Sequence, residues 1–373
     1  MASNILFLTL RTFSEIGGIE KVCKIFSKSL VDCQTQLAIT KVFVMSMYDT
    51  NKDVEEKYVP ASSFVGANNN KINFVTKAVT QGIKSKVVII SHINLLVVGY
   101  IIKLLSPNTK LVLLAHGIEV WDEPTFLRRK MLRQCDGIWC VSNFTKQKIS
   151  NYLKTSSNKV HVLNNCIDPF LNTDYTIKNK QLLKKFNFNQ DDIILLTLSR
   201  LSSKELYKGY DHVLAVFNNL TKYFPTLKYL IVGKYDDVEK KRLDEIIAKY
   251  GIENKVIFSG YIHDDEIANH YGIADVYVMP SKKEGFGIVF IEAMYYGLPV
   301  IAGNKDGSSD ALLNGKLGIM VNPDSEQEIE LAIKNTLQNI EVNKPNKNLL
   351  MQYFSFDAYK KNIAQLLQPY LIN

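Results

Sequence analysis

Two glutamates, Glu284 and Glu292, stand eight positions apart in the string from Ser281 to Val300, SKKEGFGIVFIEAMYYGLPV. A Gly-Phe-Gly turn follows the first directly, and the apolar residues Ile288, Val289 and Ile291 then open a helix that Gly297 and Pro299 close. The first carboxylate is therefore expected on a loop, and the second on the helix, about one turn further in. The backbone N–H groups of Phe286, Gly287 and Ile288 fall at the helix N-terminus. Amides there lack intrahelical partners and the helix dipole favours negative charge, so they suit an anion such as a pyrophosphate. Carboxylates on either side of an anion repel it unless each has hydroxyls to accept from. A sugar nucleotide supplies both, sugar hydroxyls at one end and ribose hydroxyls at the other.

The same glutamates, followed by Ala293-Met294-x-x-Gly297-x-Pro299-Val300-Ile301-Ala302, resemble family four of the retaining glycosyltransferases, the glycogen-synthase-like transferases. The resemblance is to members that assemble bacterial exopolysaccharide or O-antigen, as the string Asp306-Gly307-Ser308-Ser309-Asp310 also suggests. It implies the GT-B architecture, two Rossmann-like doubly wound parallel-sheet domains facing across a cleft. It implies that Glu284 touches the donor sugar and Glu292 the ribose, with Phe286, Gly287 and Ile288 at the phosphates. Arg200, in Ser199-Arg200-Leu201, and Lys208, before Gly209, are then assigned to the donor pyrophosphate. Fixed cations there would stabilise the departing nucleotide. The intervening Ser202–Tyr207 is longer than the family's usual spacing, which leaves Lys204 and Lys208 both open for that contact.

Further positions follow by the same resemblance. Gly17 and Gly18, between a first strand and a helix, match a glycine loop that lets backbone approach a phosphate or the transferred sugar. No G-x-G-x-x-G is present to mark a dinucleotide loop. His116 falls at a strand end, where the family has a donor-sugar contact, and Glu119 nearby is a candidate for the acceptor. Asn165 stands in the family's Asn-Gly-Val-Asp turn, with Cys166 in place of the glycine. Tyr261 and Ile262 occupy a segment that grips the base through backbone groups, Tyr261 either stacking or packing.

The elements that must position these residues read as strand–helix alternation. Asn4–Leu10, Leu37–Met45, Val87–Ser91, Lys110–Ala115, Trp139–Ser142 and Lys159–Leu163 are short apolar strands. Helical spacing fills Ile19–Leu30, Asn94–Leu105, Pro124–Gln134 and Asn143–Leu153. After Asp168-Pro169 and a polar, linker-like Lys178–Asn189, a second alternation runs through Ile193–Ser199, Tyr229–Val232, Val256–Phe258, Val276–Met279 and Val300–Ala302. Such alternation implies parallel sheets with ligands at the strand C-terminal ends. The expected domains are 1–170, binding acceptor, and 171–352, binding donor. Tyr353–Leu371 is read as one amphipathic helix, within a segment 353–373 that crosses back to the first domain.

Composition bounds the alternatives. A chain of 373 residues, 46% apolar and 22% charged, predicts two globular domains. The run Leu95–Leu105 is too short to span a bilayer, and MASNILFLTL reads as a first strand rather than a leader. Five cysteines without a C-x-x-C read as thiols in a reducing cytoplasm, and no Asp-x-Asp or histidine cluster suggests a metal, so neither cofactor nor metal is expected. The net charge of +8 is one-sided: residues 1–170 hold 21 Lys and Arg against 12 Asp and Glu, the remainder 24 against 25. That excess points to an anionic partner. For Arg128-Arg129-Lys130-x-x-Arg133, one reading is docking on anionic membrane near a polyprenyl-linked acceptor, and the other is a solvated helix face. Nucleic acid is not expected, because the basic residues do not interleave with aromatics.

The activity implied is a retaining hexosyl transfer from a nucleotide sugar, UDP-glucose favoured and GDP-mannose the alternative, to a glycan or lipid-linked acceptor. No carboxylate is placed behind the anomeric carbon, so front-face substitution without a metal is expected. A sugar-nucleotide epimerase, a phosphorylase and a non-catalytic partner subunit are the rival readings. The last would be expected to have lost one of Glu284, Glu292, Arg200 and Lys208.

Overall fold

The computed structural model describes residues 3–154 and 157–372. Its chain divides into two compact units, Met1–Pro169 with Tyr353–Asn373, and Phe170–Gln352.

The first unit is built on a sheet of β1 (Asn4–Thr9), β2 (Lys41–Ser46), β3 (Phe64–Gly66), β4 (Val87–Ile90), β5 (Lys110–Ala115), β6 (Gly137–Cys140) and β7 (Val160–Val162). Their order is β3-β2-β1-β4-β5-β6-β7 and each neighbouring pair is parallel. Central strands such as β4, VVII, are buried on both faces, as a sheet covered by helices on both sides requires. The crossovers carry α1 (Gly18–Asp32), α2 (Lys71–Gly82), α3 (Leu96–Leu105), α4 (Phe126–Arg133) and α5 (Asn143–Leu153). Ser142 caps α5 by accepting from the Thr145 N–H at 3.1 Å.

The second unit repeats the plan with α6 (Lys180–Lys185), β8 (Ile193–Leu198), α7 (Tyr210–Tyr223), β9 (Leu227–Val232), α8 (Asp237–Tyr250), β10 (Val256–Gly260), α9 (Asp264–Ile273) and β11 (Val276–Met279). It continues through α10 (Ile288–Tyr295), β12 (Val300–Gly303), α11 (Ser308–Ala311), β13 (Ile319–Val321), α12 (Glu326–Gln338) and α13 (Ile340–Asn343). The sheet order is β10-β9-β8-β11-β12-β13, again parallel. The chain then runs through α14 (Lys347–Phe354) to α15 (Phe356–Leu371), which lies in the first unit. Tyr359, Ile363 and Leu367 of α15 join the core made by Ile5, Phe7, Phe26 and Trp139. Lys86 donates to the Leu371 carbonyl at 2.5 Å.

Each unit ties the start of two neighbouring strands with one aspartate. Asp136, just before β6, accepts from the Leu111 N–H of β5 and from Lys103, both at 2.9 Å. Asp275, just before β11, accepts from the Ile194 N–H of β8 at 2.7 Å and from Lys178 at 2.6 Å.

Several elements depart from the sequence reading. The terminal helix is two helices, because the Ser355 hydroxyl accepts from the Ala358 N–H and starts α15 afresh. Lys178–Asn189 is not a plain linker. Asn179 caps α6 by accepting from the Gln181 and Leu182 N–H groups, and Leu183, Phe186 and Phe188 are buried. β2 begins at Lys41, since Leu37–Thr40 forms a turn with Ala38 at φ 51°. The short β3 and β13 and the helix α2 are further elements that the sequence reading did not mark, although α2 carries helical apolar spacing through Phe74, Val75, Ala78 and Val79.

Candidate functional site

In the second unit β8, β11 and β12 are neighbours, and the loops after their C-terminal ends gather the charged residues singled out above. The loop after β8 folds back on the start of α8. Asp236 caps that helix by accepting from the Glu239 N–H at 2.8 Å, and it also accepts from the Ser203 N–H and hydroxyl at 2.8 and 3.1 Å. These bonds hold its carboxyl below the usual range. The loop ends at Gly209, whose φ of +81° and close approach to the Pro280 carbonyl leave no room for a side chain.

Lys208, immediately before that glycine, sends its ammonium to Glu284 Oε2 at 2.7 Å. Their side chains are 14% and 19% exposed. Burial opposes the charge on Lys208, but the Glu284 carboxylate outweighs it and holds the ammonium above its ordinary pKa. Lys204 is exposed and not part of this pair. Arg200 is 71% exposed and pairs with Glu205 at 2.6 Å. The two cations share a neighbour, Tyr207, which the sequence reading passed over. Its hydroxyl is pushed up chiefly by burial, with Lys208 and Arg200 opposing and Glu205 and Glu284 adding to the shift. The Lys282 N–H donates to the Tyr207 carbonyl at 2.8 Å, joining the β8 and β11 loops.

Glu284 itself is held through its backbone. Its N–H donates to Asp306 Oδ2 at 2.7 Å, and its carbonyl accepts from the Gly307 N–H at 2.8 Å. Gly287 then turns the chain into α10 with φ +85°, and a Cβ there would run into the Phe290 ring. No side chain caps α10. Phe286 and Ile288 are buried around this turn. Glu292, 2% exposed, lies with its Oε2 3.4 Å from the Tyr271 hydroxyl, and Tyr271 stacks on Tyr296 with ring centroids 5.0 Å apart. The Tyr271 hydroxyl lies between the Val289 carbonyl, at 3.3 Å, and this carboxylate, a proximity that only the tertiary fold reveals. Beyond β10, Ile262 is buried while Tyr261 is half exposed and set edge-on to His263. Among the described residues no group of three His, Cys, Asp or Glu side chains forms a metal site.

The remaining candidates belong to the first unit and lie past the ends of its strands β1, β5 and β7. Gly17 begins α1 in extended backbone and Gly18 is its first residue. The loop leading to them is anchored by the fully buried Asp49, which accepts from the Thr12, Phe13 and Ser14 N–H groups at 2.7, 3.2 and 3.0 Å. A cavity of about 170 Å³ opens there, lined by Arg11, Glu20, Tyr48, Ser91 and His92 among others.

His116 lies just past β5, and its Nε2 is 2.8 Å from the Ser91 carbonyl. A carbonyl only accepts, so Nε2 carries the proton and Nδ1 is a bare acceptor, buried without a partner. Burial lowers the ring to about 4. The ring is therefore neutral near pH 7. Glu119 turns inward and accepts from the His116 N–H at 2.5 Å, and burial raises its carboxyl. Asn165 is 7% exposed, its Oδ1 also buried without a partner. Cys166 keeps φ out of the left-handed region, so the turn does not require the glycine of the family pattern. All five cysteines are buried thiols.

On the surface of the same unit, Thr125 caps α4 and Phe126 and Leu127 are exposed. Among the described residues no helix is long and apolar enough to cross a membrane.

Comparison with known proteins places this geometry. The profile of the family described as Glycosyl transferases group 1 matches residues 178–367, and that of Glycosyltransferase Family 4 matches residues 16–170. Among relatives, an uncharacterised glycosyltransferase, MJ1607, of Methanocaldococcus jannaschii is 27% identical over 237 residues, 61% of this chain and 58% of that one. A GDP-mannose-dependent alpha-(1-6)-phosphatidylinositol monomannoside mannosyltransferase of Mycolicibacterium smegmatis is 26% identical over 243 residues, 61% of each chain. The chain thus matches about three fifths of the length of these relatives. Among solved structures, Anabaena Alr3699/HepE in complex with UDP and glucose superposes with a TM-score of 0.79 at 20% identity, over 98% of this chain and 99% of that one. Sucrose-phosphate synthase from Thermosynechococcus elongatus gives 0.74 at 17% identity, over 98% of each chain. The two sheets therefore have the GT-B fold, and with one profile spanning more than half of its length the chain belongs to the group 1 glycosyl transferases.

Proposed function

We propose that the chain is a retaining glycosyltransferase that moves a hexose from a nucleotide sugar to a glycan or lipid-linked sugar acceptor in polysaccharide biosynthesis. The observation that carries this reading is the part-buried Lys208–Glu284 pair beside the start of α10, which no side chain caps, with Glu292 held eight residues on. It brings together a cation, helix amides and two carboxylates, the set that a sugar, a diphosphate and a ribose need in that order. UDP-glucose is the favoured donor, supported by the likeness to a HepE structure that holds UDP and glucose. GDP-mannose is the second reading, supported by relatives that use it.

In the proposed mechanism the acceptor oxygen bonds to the anomeric carbon on the face from which the phosphate oxygen departs. The acceptor proton passes to that phosphate oxygen. Lys208, Arg200 and the first amides of α10 meet the charge that develops on the leaving nucleotide, without a metal or other cofactor. Glu284 accepts from the sugar hydroxyls and Glu292 from the ribose. His116, neutral with a bare Nδ1, accepts from the sugar's 6-hydroxyl. Gly17, Gly18 and Asn165 line the donor side of the first unit, and Tyr261 and Ile262 the base. The first unit takes the acceptor, and its basic α4 associates peripherally with anionic membrane on the cytoplasmic side.

A thermal-shift panel of UDP, GDP, UDP-glucose and GDP-mannose, with and without EDTA, tests the donor reading. A ligand at a hundred times its Kd should stabilise by about 2.7 kcal/mol. Stabilisation by one nucleotide family, unchanged by EDTA, is the expected result. No shift with any of them would reject the donor site and favour a non-catalytic partner subunit.

A further inference from the structure

Asp306 stands outside every role assigned above, yet it touches the centre of the site. It lies on the loop after β12, 2% exposed. Its Oδ2 accepts from the Ser281 hydroxyl at 2.6 Å and from the Glu284 N–H at 2.7 Å, and its Oδ1 accepts from the Ser308 N–H at 2.9 Å. The next residue, Gly307, donates its N–H to the Glu284 carbonyl at 2.8 Å. Both backbone groups of Glu284 are therefore bonded to one dipeptide, Asp306-Gly307. The latch joins the ends of two neighbouring strands, since β11 delivers Ser281–Glu284 and β12 delivers Asp306.

We propose that Asp306 is a positioning residue for donor binding: its carboxylate fixes the backbone of Glu284, and thereby the place where Glu284 and Lys208 meet the donor. This inference rests on the donor reading above. The carboxylate is chemically specific for the task, because both of its oxygens accept from fixed donors. An asparagine must turn an NH₂ towards either the Ser308 N–H or the Ser281–Glu284 pair, and so sets a donor against a donor. A protonated aspartate can turn its O–H to the Ser281 oxygen, but its neutral oxygens accept more weakly from the Glu284 and Ser308 N–H groups than a carboxylate does. The charge is also retained against resistance, for burial pushes the carboxyl up to about 6, and Glu284, the charged group facing it and itself paired with Lys208, adds to the shift.

The test measures binding of UDP-glucose and of GDP-mannose at pH 5.0 to 8.0 for the wild type, Asp306→Asn and Ser281→Ala, with urea unfolding at each pH as a control. A diphosphate diester does not titrate in this range, so a step near pH 6 comes from the protein. The wild type is expected to bind more tightly as pH rises through about 6 and to level off above it. Asp306→Asn should bind about tenfold or more weakly at pH 7.5 and lose the step. Ser281→Ala, which removes one donor to the latch, should weaken binding less and keep the step. A flat wild-type profile, or an Asp306→Asn chain that binds within twofold of wild type, would overturn the assignment of Asp306 alone. Should Asp306→Asn fail to fold, the wild-type profile and Ser281→Ala decide the matter. Failure of the wild type to bind either donor at any pH would overturn the donor reading, and this role with it.

Discussion

The Lys208–Glu284 pair yields a prediction with a magnitude. Replacing one partner of a fully buried ion pair costs about 3–5 kcal/mol, because the other charge is left without compensation. Exposed pairs are worth about 0–1 kcal/mol. With side chains 14% and 19% exposed and an Nζ···Oε2 distance of 2.7 Å, this pair lies nearer the buried limit. Lys208→Met and Glu284→Gln should each cost about 2–3 kcal/mol. In a unit spanning residues 170–352 that corresponds to roughly 5–10 °C in Tm. The double variant leaves neither charge stranded and should cost clearly less than the sum, with a coupling energy of about 2 kcal/mol. Urea unfolding and calorimetry of the four proteins, at 0.15 M and 1 M salt, form the assay. Coupling should survive the higher salt, since partly buried charges are screened little. Additive single costs, with coupling below about 0.5 kcal/mol, would refute the reasoning. The double variant should fall about 2 kcal/mol short of the summed cost yet stay inactive, which separates the structural worth of the pair from its proposed work on the donor.

Three further outcomes are expected. The His116 ring titrates ordinarily at 6.5 and in the folded chain near 4, so between those values the unfolded chain holds more protons. Stability from this residue is full above pH 6.5 and is lost as pH falls towards 4, by about 3 kcal/mol in total; an equal acid slope in His116→Gln, read by urea unfolding, would contradict this. Tyr271→Phe, which removes the hydroxyl 3.4 Å from Glu292, should weaken nucleotide binding by several-fold and leave the fold intact; unchanged affinity by calorimetric titration would release Glu292 from the proposed ribose contact. Tyr359→Ala empties a fully packed position of the first unit and should cost about 3–5 kcal/mol, by analogy with other aromatic truncations. An effect below about 1 kcal/mol on urea unfolding would show that α15 is not part of that core.

The parts of the molecule legible in the sequence are those whose signals are local. β11 and α5 begin and end where the apolar spacing puts them, though Ser142, read as a strand end, caps α5 instead, and the turn into α10 is announced by Gly-Phe-Gly. α6 is hard to see in the sequence because it is short and lysine-rich, with Leu183 its one buried residue and the buried Phe186 and Phe188 following it. The break at Ser355 was hidden because the apolar spacing continues across it. Within the site, Lys208 could not be told from Lys204 by spacing alone; the folded loop leaves Lys204 exposed and sets Lys208 against Glu284. Tyr207, Tyr271 and Asp306 were out of reach for a common reason. Tyr271 and Asp306 meet residues 21 and 22 positions away, and the Tyr207 carbonyl meets the Lys282 N–H from the next loop, so only the return of parallel strands makes them neighbours. Asp306 had one faint local sign, an acidic residue before a glycine at the end of a strand.

Asp136 and Asp275 carry a consequence for how this chain tolerates change. Each lies at the start of its strands, whereas the glutamates, lysine and histidine of the candidate site lie past strand ends. In both units the same device, an aspartate shared between a neighbouring strand's amide and a lysine, secures the end of the sheet away from the chemistry. The two rims can therefore drift separately under selection. Substitutions around Lys103 and Lys178 would act on the anchoring of the sheets, and those around Lys208 on the proposed donor site. Under the proposed donor reading, the loops at one rim can change while the aspartates at the other keep the strands together.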